Sequence, residues 1–183
     1  MLKIRGCNAL SGFRINKILL SLQNVDQTIT GIHTEYVHFA ELESELMVNE
    51  YDHLASLLHY GPLPQPPDPA WHMLLVTPRP GTISPWSSKA TDIVHNCGLR
   101  QVIRVERGLV WYIQSSDQAL TTTTVERIKP LIHDRMTEVV LNKLDDASIL
   151  FNKARPVHHT YIDIQSAGKD ALSMANSEMG LAL

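Results

Sequence analysis

The sequence has little cysteine and no long apolar run, and each shortage excludes a class of protein. Its 183 residues include only 2 cysteines, Cys7 and Cys97, and their spacing fits neither a zinc site nor a redox motif. No apolar stretch approaches the ~20 residues that span a bilayer. The first residues also lack the apolar core of a signal peptide. We therefore expect a cytoplasmic protein with no membrane partner.

The sequence also lacks the basic excess and the ligand patterns of nucleic-acid and metal proteins. Its formal net charge is -3 and its pI is near 6.3, whereas phosphate contacts need a basic surface. Its 9 histidines form no HExxH or comparable ligand set, so we predict no metal site and no nucleic-acid partner. A chain of this size buries roughly 70% of its unfolded surface, which is enough for a core without metal or disulfide.

Apolar periodicity predicts alternating strands and helices in the first part of the chain. Strands are predicted at residues 2–5 and 32–39. One helix is predicted at residues 12–24 after the cap Ser11, and Asn49 is predicted to cap a second helix. The apolar stripe of the first helix consists of Phe13, Ile18, Leu19 and Leu22.

The segment GPLPQPPDP, residues 61–69, separates this part from the rest. Proline fixes φ and removes a backbone donor, which excludes a helix or a central strand here. In a polyproline II conformation of ~3.1 Å per residue the segment reaches roughly 25–30 Å. We interpret it as a stiff connector between two halves of one domain; a ligand for a proline-recognising module is the alternative.

The second part repeats a mixture of strands and helices. A strand at residues 72–77 precedes a helix, and two strands at 101–106 and 109–113 are predicted to form a hairpin around Arg107 and Gly108. Thr123 and Glu126 have the spacing of a capping box for a short helix that Pro130 interrupts. A further strand at 132–140 and a short helix at 145–151 end the part.

These elements predict an α+β fold, a two-layer sandwich of an antiparallel sheet and helices that is internally duplicated. The predicted domain spans residues 1–152, with halves at 1–60 and 70–152 joined by the connector 61–69. Residues 153–183 are predicted to begin a linker region, which is truncated because the sequence ends inside a helical pattern.

The proline-rich stretch before the second-half helix is the strongest candidate site. Ser84 and Pro85 predict a helix start and Gly98 predicts its end. A helix N-terminus attracts anions through its free N–H groups and its dipole. Three interpretations stay open: an anion site, ordinary capping by the hydroxyls with Arg79 and Lys89 solvated or paired with Asp92, and a rigid loop that recognises another protein. The candidate residues are Arg79, Thr82, Ser84, Ser87, Ser88 and Lys89.

Several stretches in a fixed order resemble one enzyme family. They are KIRGCNALSGFRINKILLSL, EYVHFAELE, LLHYGP, VTPRPGTISPWSSKATDIVHNCGL, RVERG and IHDRMTE. The series resembles the N-terminus of the large single-chain phosphoribosylformylglycinamidine (FGAM) synthases, and the similarity covers essentially the whole chain.

The resemblance implies a noncatalytic part of a large ligase. FGAM synthases use glutamine and ATP, with magnesium, to convert formylglycinamide ribonucleotide (FGAR) into FGAM in purine biosynthesis. Their synthetase and glutaminase regions have no counterpart here, so no catalytic or cofactor-binding residue is assigned and this chain alone is predicted to be inactive. The resemblance also implies that Cys97 is not the glutaminase nucleophile, since that cysteine belongs to the glutaminase region.

The implied role is assembly. In this family the N-terminal domain resembles a dimer of the small subunit of the multi-chain enzyme, and it holds the synthetase and glutaminase regions together. The alternative is a free-standing small domain that binds a phosphorylated metabolite at the Ser84 helix N-terminus.

The tail, residues 168–183, predicts one further helix with an apolar face. Leu172, Ala175, Met179 and Leu183 fall on that face at helical spacing. We expect this face to contact another part of the chain or a second copy of it.

Overall fold

Five strands form one antiparallel sheet in the order β1-β2-β4-β3-β5. The computed structural model describes residues 1–116, 120–152 and 161–179. The long central strands β2 and β4 pair along their whole length, with β1 and β5 at the edges. The strands are β1 (Leu2–Asn8), β2 (Ile29–Leu42), β3 (His72–Pro78), β4 (Val102–Ser115) and β5 (Glu138–Leu141).

Helices cover the sheet because apolar side chains alternate along its strands. Leu74 and Val76 pack with α1 and α4, whereas Leu75 between them packs with the 3₁₀ helix on the opposite face. The helices α2 and α3 form a further core with β1, β2 and β4. The bounds are α1 (Gly12–Gln23), α2 (Val48–Leu57), α3 (Pro85–Asn96), α4 (Thr122–Ile132), a 3₁₀ helix (Leu144–Phe151) and α5 (Ile164–Met179).

This architecture confirms the predicted α+β class with an antiparallel sheet against helices. The connector at residues 61–69 forms neither helix nor strand, as predicted. No helix among the described residues is long and apolar enough to cross a bilayer.

The predicted hairpin at Arg107 and Gly108 is wrong. Both residues lie inside the continuous strand β4, where they pair with His38 and Val37 of β2. Glycine is needed there for space, since a Cβ on Gly108 would come within 2.8 Å of Leu75 Cδ1. Gly108, which suggested a turn, instead leaves the space that the side chain of Leu75 occupies in the core.

Three helix boundaries also differ from the prediction. The cap of α4 is Thr121, whose Oγ1 accepts from Thr124 N, and not Thr123. The cap of α2 is Met47, whose N–H donates to Glu50 Oε2 at 2.8 Å, and not Asn49. Helix α4 continues through Pro130 to Ile132. Burying Ile132 contributes roughly 1.5–3 kcal/mol, which offsets the ~3 kcal/mol cost of a proline in a helix.

One strand and one side chain also differ from the prediction. The strand predicted at 132–140 is shortened to β5, which begins at Glu138. The residues before it form a turn, because Asp134 accepts from the N–H of Met136 and its own N–H donates to Glu138. Phe13 was placed on the buried stripe of α1, yet its side chain is 81% exposed. Leu22, at the other end of that stripe, is fully buried as expected.

The chain divides into two units, Met1–Lys153 and Ala154–Leu183. In the second unit α5 is interrupted at Gly168, which has a positive φ of 51°. Ala175 is buried, Leu172 is half-buried and Met179 is exposed. Leu183 lies outside the described residues, so the expected contacts of the tail stay a prediction.

Candidate functional site

The loop from Pro78 to Ser84 leads into α3 as the sequence indicates. Ser84 has extended backbone angles, and its Oγ accepts a hydrogen bond from the N–H of Ser87 at 3.0 Å. Pro85 occupies the first helical turn, where its missing N–H costs nothing. Gly98 follows the helix with a φ of +91°, so both predicted ends of α3 are confirmed.

A buried carboxylate already lies at the N-terminus of α3. Glu106 of β4 is 0% exposed, and its Oε2 accepts from Ser84 Oγ at 3.0 Å. Its Oε1 is 3.5 Å from the N–H nitrogen of Ser84. The place at the N-terminus of α3 where an anion would be stabilised is therefore already occupied by a carboxylate of the same domain. Sequence reasoning missed Glu106, because it is distant from Ser84 along the chain and nothing in its stretch RVERG indicates this partner.

Arg79 and Thr82 fold the loop onto the segment between α4 and β5. Arg79 donates through its N–H to Thr137 O at 3.0 Å and through Nη1 to Met136 O at 3.3 Å. The Thr82 hydroxyl donates to Arg79 O at 2.6 Å. Gly81 supplies a φ of +82° between them, a conformation that favours glycine. These bonds hold the loop in one shape.

Part of the candidate set lies along one groove of about 480 Å³. The groove exposes two large apolar side chains, Ile83 at 59% and Met136 at 77%. Its lining consists of Pro78, Arg79, Thr82, Ile83, Ser84, Pro85, Met136, Thr137 and Glu138. We call this surface the loop groove.

The structure separates the remaining candidates from the loop groove. In the first turn of α3, Ser87 is buried and Ser88 is exposed. Lys89 is exposed and lines a second groove, between α2 and α3. None of the ion pairs among the described residues joins Lys89 to Asp92. Arg79, Thr82 and Ser84 thus share a surface, whereas Lys89 faces another.

The second groove borders an aromatic cluster that sequence reasoning missed. The Arg107 guanidinium carbon lies 4.2 Å from the ring centroid of Tyr36 and 4.9 Å from that of Trp86. His38 stacks on Trp86 with ring centroids 5.5 Å apart. The Tyr60 hydroxyl is 2.7 Å from His38 Nε2 and accepts from Arg107 Nη1 at 3.4 Å.

The imidazole of His38 is neutral in this cluster. Burial lowers the pKa of His38 to about 4, and the positive charge of Arg107 contributes to the same shift. Because Arg107 has no acceptor, the Tyr60 hydroxyl is left to donate its proton to His38 Nε2. The alternation IHTEYVHF predicted the strand that carries His38 but contained no sign of its partners.

A second buried polar group lies at Glu35, on the opposite sheet face. Arg5 binds its carboxylate with two nitrogens, Nε at 3.0 Å and Nη2 at 2.5 Å, and the Tyr112 hydroxyl donates to Oε1 at 3.2 Å. Burial, followed by the charge of Glu35, raises the pKa of Tyr112 to about 12. This pairing joins β1, β2 and β4, and it leaves Glu35 with its bonds satisfied.

These arrangements join neighbouring strands and helices through hydrogen bonds. Cys97 is exposed and Cys7 is half-buried. Among the described residues no group of three or more histidine, cysteine or acidic side chains could hold a metal ion. The loop groove and the groove between α2 and α3 are two of the surfaces that stay open to a partner.

Comparison with known families identifies the relatives of this chain. The family model described as "Formylglycinamide ribonucleotide amidotransferase N-terminal" matches residues 35–151. The match is more than half of the 183 residues, and it runs from within β2 to the end of the 3₁₀ helix. Both grooves and the residues of the aromatic cluster lie within it.

Proposed function

Because this chain belongs to the formylglycinamide ribonucleotide amidotransferase N-terminal family, and so has a role in the FGAM synthase of purine biosynthesis, we propose that it is the domain that organises that enzyme's other regions. In this proposal it is noncatalytic. ATP, magnesium and glutamine bind to the synthetase and glutaminase regions of the parent enzyme, in the cytoplasm.

The observation that carries the proposal is that polar groups at the loop groove form hydrogen bonds within the domain. Ser84 is bonded to Glu106, and Arg79 is bonded to the carbonyl of Met136. These bonds make the loop rigid, and a rigid loop loses little entropy when it docks. Exposed Ile83 and Met136 supply the apolar surface that interfaces bury.

The same observation makes us favour assembly over the binding of a phosphorylated metabolite. A phosphate at the N-terminus of α3 would lie beside the buried carboxylate of Glu106. The negative charges of a phosphate and of that carboxylate would repel each other. The loop groove is therefore better suited to a protein surface than to an anion.

We also propose that the domain arose by internal duplication, as a dimer-like pair of small subunits. The units β1-α1-β2 and β3-α3-β4 have matching lengths, since β1 and β3 have 7 residues, α1 and α3 have 12, and β2 and β4 have 14. Their long strands pair antiparallel at the centre of the sheet, as the strands of two copies related by a twofold axis would. The connector 61–69 then replaces the break between two chains.

The assembly role is tested in the parent enzyme by Arg79→Ala and Lys89→Ala. We expect each variant to hydrolyse more glutamine per FGAM formed, because a loosened interface lets ammonia escape before it is used. Arg14→Ala, which removes an exposed cation from α1, is the matched control. The melting temperature of the 183-residue chain should stay nearly unchanged.

Normal coupling in both variants would remove the interface role. A large loss of stability in the isolated chain would instead assign Arg79 and Lys89 to the fold itself. Glutamine hydrolysis or ATP turnover by the purified chain, abolished by mutating a residue within it, would contradict the noncatalytic assignment.

A further inference from the structure

The groove between α2 and α3 is small and mostly apolar. Its volume is about 190 Å³, whereas pockets for drug-sized ligands hold about 300–1,000 Å³. One large side chain is therefore a better fit than a nucleotide or a cofactor. The lining consists of Leu57, Leu58, Tyr60, Trp86, Lys89, Ala90, Ile93 and Val94, and we call it the α2–α3 groove.

Two cations without carboxylate partners stand at this groove. Lys89 lines it directly, and Arg107 contacts two of its lining residues, Trp86 and Tyr60. Neither cation takes part in any ion pair among the described residues. No acidic residue belongs to the described lining, so the positive charge of Lys89 meets no carboxylate within the groove.

Arg107 is prepared to bind an anionic group. Its guanidinium is fixed between the rings of Tyr36 and Trp86, and Tyr60 accepts from Nη1. A guanidinium has five N–H donors in a planar fork that matches a carboxylate. Because the fork is already held in place, binding a carboxylate freezes little further motion of the side chain.

We infer that the α2–α3 groove is a docking site for an acidic protein segment, which inserts one large apolar side chain beside Trp86 and places carboxylates against Arg107 and Lys89. An apolar anchor in a small pocket with charged groups at its rim is the usual anatomy of a protein interface. This inference rests on the proposed assembly role, for which it supplies the chemistry of the partner.

The test measures binding to the 183-residue chain and not enzyme activity, so either proposal can fail alone. The probes are three peptides with blocked ends: EDFLDE, the charge-reversed KRFLRK, and EDGSDE, which lacks the anchor. Binding is followed by the indole N–H resonance of Trp86, with the buried indole of Trp111 as an internal reference.

We expect only EDFLDE to shift the Trp86 resonance saturably, and we expect added salt to weaken it. Arg107→Met keeps an apolar stem in the stack and should weaken binding about tenfold by removing a charge-assisted contact. Lys89→Gln should weaken it about threefold, since that cation is exposed. Arg14→Gln on α1 is the matched control and should bind as the unchanged chain does.

Equal shifts with EDFLDE and KRFLRK, or no shift with any peptide, would overturn the inference. Unchanged affinity in Lys89→Gln and Arg107→Met would overturn it as well. If Arg107→Met does not fold, Lys89→Gln and the charge-reversed peptide still decide the outcome, because Lys89 is a surface residue.

Discussion

Acid should destabilise this domain through His38, and the size of the effect follows from its burial. The imidazole is 1% exposed, and its pKa is lowered to about 4 from an ordinary value of 6.5. Between these two values the unfolded chain binds a proton that the folded chain does not bind. The free energy of unfolding therefore falls as the pH is lowered through this window, and the stability is fully present above it.

The expected loss is about 3 kcal/mol between pH 7 and pH 4, at about 1.4 kcal/mol for each pH unit between the two pKa values. This loss is a large part of the stability of an ordinary domain. Of the ionisable groups, Tyr60 is hydrogen-bonded to His38 and Arg107 lowers its pKa through its charge. Neither changes its charge in this range, so the imidazole is the cause.

The assay compares urea unfolding of the unchanged chain with that of His38→Gln at several pH values. The difference in unfolding free energy between the two proteins should shrink by about 3 kcal/mol on acidification, because other titrating groups cancel. His59→Gln, which removes an exposed imidazole, controls for the loss of a histidine. A pH-independent difference would refute the reasoning. If His38→Gln does not fold, NMR titration of His38 in the unchanged chain decides, and a pKa near 6.5 would contradict it.

Three substitutions test the packing described above. Gly108→Ala should cost about 1–3 kcal/mol in urea unfolding, because the new Cβ would lie 2.8 Å from Leu75 Cδ1; an unchanged midpoint would show that the sheet yields there. Ser84→Ala should cost roughly 2–3 kcal/mol, since it removes a helix cap and a partner of the buried Glu106 carboxylate; a Ser84→Ala melting curve that matches the unchanged chain's would mean that Glu106 finds another donor. Gly98→Ala should lower the free energy of unfolding by about 1 kcal/mol, because φ is +91° there; equal stability would contradict the strain.

Signals that act over a few residues, such as helix caps and prolines, predicted part of this fold from the sequence. Ser84, Pro85 and Gly98 specify the two ends of α3 through hydrogen bonds and φ preferences that operate within a few residues. The prolines of the connector exclude regular structure for the same reason. The order of stretches such as VTPRPGTISPWSSKATDIVHNCGL was enough to identify the family.

Residues distant along the chain decided the rest. Arg107 and Gly108 form a turn signal in isolation, yet pairing with β2 keeps them in a strand. Phe13 has the spacing of a core residue and lies in solvent. At the candidate anion site, Ser84 is hydrogen-bonded to Glu106. Only the register of β4 in the sheet brings Glu106 to that position. Helix caps and periodicity depend on near neighbours, whereas space, burial and charge compensation depend on which strands lie side by side, and that is a property of the assembled sheet.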